Sequence, residues 1–438
     1  MAQTIDVREY VDGRKFNSFN VMLLALSFVI MLVDGFDITV TAFAVPELIK
    51  AWNVNASLFG PVLGASLIGM LIGAPIFGFV GDRYGRKTAI VICYVVFGAF
   101  TLMAAWSASI TQLAALRLLA GIGIGGLLPN IAALNAEFAS RRFIATSVIV
   151  SFTGVAFGGA MPGPVAAFLV PQYGWQVLFY VGGAVPLLFA LIIAFWLPES
   201  IRFLALKDRK AEMAVLVHRM DPGTVVPEGT QFVVTGENKS LPFKYLFSGE
   251  LAIMTPLLWL VFALNLMVYF FLISWMPTLL SNANIPIAQA ALATAVFQLG
   301  GVIGSWSIAR PIDRYGMWPI AVLFFTGVPI IASIGYFGLR SSTHLMVIVF
   351  FAGFCALGVQ MGINAVSAML YPTALRSTGS GWAFGIGRVG SIVGPIFGGL
   401  LIATLTVQQL YLIAAIPFLL GAIICVFLGR MFAKRRVS

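Results

Sequence analysis

The sequence predicts an all-α membrane protein of twelve transmembrane helices in two pseudo-symmetric six-helix bundles. Three observations predict it: an apolar composition, the spacing of apolar runs, and an internal repeat. Of the 438 residues, 60% are hydrophobic and only 10% charged, with a mean hydropathy of +0.99, well outside the range of soluble globular domains. A bilayer requires spans of roughly 20 apolar residues. Twelve such spans are read, centred near residues 31, 69, 97, 123, 155, 187, 264, 298, 327, 356, 390 and 420. The stretch from Met1 to Asn20 is polar, carries charges of both signs and runs straight into the first span, so no cleavable signal is expected.

Lysine and arginine set the orientation. With both termini on the cytoplasmic side, 22 of the 26 basic residues lie inside, from Arg8, Arg14 and Lys15 to Arg430, Lys434, Arg435 and Arg436. Only Lys50 and Arg340 remain outside, with Arg117 and Arg388 within spans. The net charge of +10 is thus a topology signal. A nucleic-acid footprint would need a basic face on a folded domain, and no nucleic-acid partner is expected. Cys93, Cys355 and Cys425 lie in apolar spans, and His218 and His344 are far apart, so neither metal-ligand spacing nor a disulfide pair is read. The expected cofactor set is empty.

Shifted by 231 residues, the two halves fall into register without a gap. Asp34 meets Asn265, Pro46 meets Pro277, Asn53 meets Asn284, and Gly69 and Gly73 meet Gly300 and Gly304. The loop GDRYG (81–85) falls on IDRYG (312–316). Two halves of like orientation imply a pseudo-two-fold axis along the membrane normal, with a site where they meet. Residues 1–197 form the first bundle in this reading, 198–250 a charged cytoplasmic linker and 251–438 the second bundle.

Several motifs then resemble the major facilitator superfamily: GFVGDRYGRKT (78–88) between helices 2 and 3, RLLAG (117–121) in helix 4, GVAFGGAMPGP (154–164) in helix 5, and LPES (197–200) after helix 6. Within it, DGFD (34–37) and YPTALRSTGSGWAFGIGRVGSIVGP (371–395) are similar to the aromatic acid:proton symporters. That resemblance implies proton-driven uptake of a benzoate-like carboxylate across a bacterial inner membrane. It also implies that the loop with Gly78, Asp82, Arg83, Gly85 and Arg86 latches the inward mouth. Glu137, Arg141 and Arg142 are candidate partners, Asp313 and Arg314 are the matching residues of the second half, and Arg376 is a further gating candidate. There Met317 and Trp318 replace the basic pair Arg86 and Lys87, so the second copy is expected to be the weaker latch. The bland alternative is a charged loop that only sets topology.

Asp34 and Asp37 stand three residues apart and share a helix face. Each costs about 3 kcal/mol near the middle of a span, against roughly 0.3 to 0.6 returned by each large apolar residue, which makes a functional role the default. The two are read as the proton-coupling pair; the alternative is that both line an aqueous mouth. Arg117, about 6 residues from the outer end of helix 4, is either part of the proton path or snorkels to the interface. Arg388 lies roughly 18 Å along its helix from Arg376, near mid-membrane, where its planar fork suits a carboxylate; a permanent structural ion pair is the rival reading. Phe36, Tyr269, Phe270, Trp275, Phe297, Gln298, Asn364, Trp382 and Phe384 are candidates to line the ring pocket. GIGIGG (121–126) and GIGRVG (385–390) imitate dinucleotide loops but lie inside apolar spans, where small residues serve helix packing.

The expected function is proton-coupled symport of a small aromatic carboxylate by alternating access, in a monomer embedded in the bilayer. A symporter for another monocarboxylate or a sugar acid is the neighbouring reading; an uncoupled channel or a membrane sensor is the reading from another class. No nucleophile, metal cluster or cofactor loop supports an enzyme.

Overall fold

The computed structural model describes residues 4–140, 143–223, 230–233 and 243–437. It contains twelve helices long and apolar enough to cross a membrane. These are α1 (Ser18–Trp52), α2 (Ala56–Tyr84), α3 (Arg86–Ala104), α4 (Ile110–Phe138), α5 (Thr146–Tyr173) and α6 (Gln176–Trp196), then α7 (Leu251–Asn282), α8 (Ala288–Ile312), α9 (Trp318–Arg340), α10 (Ser342–Ser367), α11 (Thr378–Ile402) and α12 (Val407–Phe432). Every centre read from the sequence falls inside one of them.

The repeat is visible in backbone geometry. Asn53, which ends α1, and its counterpart Asn284, just past α7, both adopt positive φ, as do Gly85 and Gly316 in the two copies of the DRYG loop. Asparagine and glycine tolerate this left-handed region best, and the loop turns sharply there. Helix pairing repeats as well: α1 packs on α5, α2 on α4 and α3 on α6, while α7 packs on α11, α8 on α10 and α9 on α12. Side chains at Gly69 or Gly73 would collide with the Leu118 and Ile122 carbonyls of α4, and side chains at Gly300 or Gly304 with the Phe350 and Phe354 carbonyls of α10. Close backbone approach of this kind replaces the hydrophobic driving force that lipid removes between membrane helices.

The halves meet through α1 with α7, α2 with α11, and α5 with α8. Gly60 of α2 lies against Gly399 and Ile396 of α11, and Gly163 of α5 against Ala291 of α8. These contacts lie in the parts of the helices remote from the chain termini, so the molecule is closed at that face.

The segment after α6, read from sequence as a linker, is partly folded. It forms short helices Ile201–Leu206 and Lys210–Met220, and its strand Gln231–Val233 pairs in parallel with Thr4–Asp6. Asn17 donates its Nδ2 to the Met220 carbonyl at 2.7 Å, Arg14 donates to the same oxygen, and Arg219 donates to the Trp196 carbonyl at 2.8 Å. The N-terminal arm is thereby tied to this segment. Composition did not reveal this pairing, because two strands of three residues carry almost no periodic signal.

Candidate functional site

The two aspartates of α1 are divided by the structure. Asp37 is fully buried and pairs with Arg117 of α4, itself 1% exposed. Arg117 Nη2 donates to Asp37 Oδ2 at 2.6 Å and to the Asp37 carbonyl at 3.1 Å, and Nη1 donates to Oδ1 at 3.0 Å. Thr101 of α3 donates to Oδ1 at 2.7 Å, and Ser66 of α2 stands 3.4 Å from Nη2. Two parallel N–H···O bonds plus hydroxyl support pair the two charges, as burial requires, while Arg117 Nε has no hydrogen-bond partner among the described residues. Arg117 therefore does not snorkel to the interface. Thr101 and Ser66 were not singled out from sequence; hydroxyls inside apolar helices are common and point nowhere by themselves.

Asp34, one turn away, is also 0% exposed, yet neither carboxylate oxygen has a hydrogen-bond partner among the described residues. Arg388 of α11, in the other half, interacts with it electrostatically without forming an ion pair. Arg388 reaches across to α2, where Nη1 contacts Met70 Sδ at 3.7 Å. A thioether is a weak acceptor, so the guanidinium keeps most of its hydrogen-bonding capacity. An acid without hydrogen bonds and a cation with only a weak one thus lie within electrostatic reach of each other in opposite halves, beside a second acid already neutralised.

The aromatic candidates separate. Tyr269 donates to Gln298 Oε1 at 3.3 Å and stacks on Phe297 at 6.0 Å. Gln298 lies against Gly159 of the other half, so this group is at the junction. Phe384 is one turn from Arg388 on the same face of α11 and meets Phe262 edge-on at 5.5 Å. Trp382 instead stacks on Trp259 at 6.1 Å and meets Phe243 at a tilt, 4.8 Å away. Phe36 packs against Gly182 and Thr101 inside the first half. The contacts these two make are packing contacts within their own halves. Asn364 accepts from Gln360 at 3.1 Å, and Gln360 accepts from Asn265 at 2.9 Å.

At the terminal face, Arg86 donates to Glu137 at 2.8 Å and pairs with Asp82 at 3.4 Å. Ser200 donates its hydroxyl to Glu137. Glu199, of the LPES motif, accepts from the backbone N–H of Lys87 at 3.1 Å and of Ser200 at 2.8 Å, and burial pushes its carboxyl above the ordinary range. Its tip fills the space beside Gly85. The Asp82 side chain is 72% exposed, and Arg83 lies over Phe79 and Tyr84. A methyl group placed on Gly78 would meet nothing within 4 Å. Arg314 lies over Tyr315. Arg141 and Arg142 fall outside the described residues, as do the side chains of Asp313 and Arg376.

A family profile described as the Major Facilitator Superfamily matches residues 27–343. The chain belongs to this superfamily. It is a multi-pass membrane transporter and not an enzyme. Among similar members, a gallate transporter of Pseudomonas putida is 35% identical over 425 residues, covering 96% of this chain and 94% of that protein. The 4-hydroxybenzoate transporter PcaK of the same organism is 33% identical over 406 residues, covering 92% and 90%. A solved bacterial homologue of the human lysosomal transporter Spinster, inward-facing and occupied, matches with a TM-score of 0.74 at 17% identity, covering 96% of this chain and 99% of that one; this likeness concerns the fold alone.

Proposed function

We propose that this superfamily member is a proton-coupled symporter that imports a small aromatic carboxylate by alternating access. The observation that carries the reading is an unpartnered buried carboxylate, Asp34, within electrostatic reach of Arg388 from the opposite half. With no substrate bound, the Asp34 anion balances Arg388. A substrate carboxylate arriving on the guanidinium fork places two anions against one cation, and in a low-dielectric core the uncompensated charge is costly. A proton on Asp34 restores neutrality, so substrate and proton load together. Charge balance of this kind is a coupling free energy and is reciprocal between the two sites.

Asp37 and Arg117 supply a second, already neutral pair one turn away, which holds α1 to α4 and stands ready to exchange partners. The identity of the gallate and 4-hydroxybenzoate transporters supports the aromatic acid as substrate class. The termini and the loop with Asp82, Arg86 and Glu137 lie on the cytoplasmic side of a bacterial inner membrane, in agreement with the basic residues, and the carrier works as a monomer built of halves 1–197 and 251–438. Closure at the face remote from the termini then corresponds to an inward-facing state, with Asp82 released from the second half.

The test is transport by purified protein in proteoliposomes. Asp34→Asn abolishes accumulation of benzoate or 4-hydroxybenzoate against its gradient and leaves counterflow of labelled for unlabelled acid in place. Uphill accumulation by this variant overturns the assignment, and loss of counterflow in the wild type favours a channel.

A further inference from the structure

Three amides form a directed ladder in the second half. Asn265 of α7 donates its Nδ2 to Gln360 Oε1 of α10 at 2.9 Å, and Gln360 donates its Nε2 to Asn364 Oδ1 at 3.1 Å. Asn265 is 0% exposed, and its Oδ1 has no hydrogen-bond partner among the described residues. Leaving such an atom unmade in a membrane core is costly. Asn265 also occupies the repeat position of Asp34, whose carboxylate oxygens are equally unpartnered. Two symmetry-related residues, both buried and with unsatisfied oxygens, thus lie on the two helices that pack across the pseudo-two-fold axis. Ala263 lies against Gly390 and Met267 against Gly394, which puts Asn265 about one turn along from the level of Arg388 on the adjoining helix.

From this we propose that Asn265, backed by Gln360 and Asn364, is the specificity-determining group that receives a hydroxyl on the ring of the aromatic acid. The inference rests on the reading of Arg388 as the carboxylate anchor. The chemistry selects a hydroxyl. Turning all three amides over preserves the ladder and exchanges the Asn265 oxygen for an NH2 at the same point, because amide ends are interchangeable in shape. A phenolic hydroxyl donates and accepts, so it satisfies either arrangement, whereas a second carboxylate or an ammonium satisfies only one. A clamp between α7 and α10 alone would explain the bonds within the ladder but not its unfilled end.

The experiment is titration calorimetry of the full-length carrier in detergent with benzoate, 3-hydroxybenzoate and 4-hydroxybenzoate. Wild type binds at least one hydroxybenzoate about tenfold more tightly than benzoate, the worth of one neutral hydrogen bond in a dry site. Asn265→Ala removes that advantage and leaves benzoate affinity unchanged; Gln360→Met, which keeps the volume and removes the backing, narrows it and serves as the readout if Asn265→Ala does not fold. An advantage that survives in the variants overturns the proposal, as does an equal loss for all three acids, which is the signature of a clamp. Wild type that binds benzoate without preferring a hydroxylated ring overturns this inference alone. Wild type that binds none of the acids overturns the reading of Arg388 together with it.

Discussion

The two halves share a backbone plan and divide their chemistry. Asp34, Asp37 and Arg117 of the first half fall on Asn265, Val268 and Ile348 of the second, and Arg388 falls back on Phe157. Among the described residues the first half buries two acids and a base along with Asn130 and Asn135, whereas the second buries the amides Asn265 and Gln298 and holds Arg388 half-buried. Related scaffolds under the same packing demand have kept their glycines and helix caps and exchanged their polar side chains. Packing at Gly69 and Gly300 is dictated by helix contact, whichever half it serves, while the polar positions face the shared space and are free to specialise. The same asymmetry marks the loops. Arg86, Glu137 and Glu199 fall on Met317, Ala368 and Arg430, so only the first copy has the carboxylate cage around its turn.

The largest effect that tests this division is in the first half. Arg117→Ala leaves the Asp37 charge buried and unpaired, and costs about 3 to 5 kcal/mol, read as loss of monodisperse protein in size-exclusion chromatography. The neutral double variant Asp37→Asn with Arg117→Gln recovers most of that stability. A single variant as stable as wild type would mean that the pair is not a unit.

In the second half the effect falls on affinity rather than on folding. Arg388→Lys keeps the charge and loses the bidentate fork, so binding of a benzoate-type acid weakens by about 10- to 100-fold while thermal stability is nearly unchanged. Titration with the uncharged amide of the same acid is the control, since its binding does not depend on the fork. Equal weakening of acid and amide would assign Arg388 to packing.

The smallest effect sharpens the comparison of the loops. Burial raises the Glu199 carboxyl above its ordinary value of 4.5, so the native state binds more protons than the unfolded one between 4.5 and the raised value. Stability contributed at this position accordingly rises as pH falls through that window, the reverse of a salt-bridged acid. Glu199→Gln removes that pH dependence and leaves the profile otherwise intact, measured as melting temperature against pH. An unchanged slope would place the responsible acid elsewhere.

Sequence by itself determined the membrane class, the twelve spans and the repeat. These follow from hydropathy over some twenty residues, from charge at the span ends and from one constant offset, all of them properties of the chain read linearly. It also pointed to Asp34, Asp37, Arg117 and Arg388, because an ionised group in an apolar span is conspicuous without any coordinates. Tertiary structure alone decided the partners. That Arg117 belongs to Asp37, that Asp34 is left without a hydrogen bond, that Trp382 stacks on Trp259, and that Asn265 ends an amide ladder depend on which helices are neighbours and how each is rotated. Neutral polar residues such as Asn265, Gln360 and Thr101 carry no charge, and their positions in the chain do not say which groups they will meet. Their role arises only where helices distant in sequence bring their hydrogen-bonding groups together in a core with no water to satisfy them.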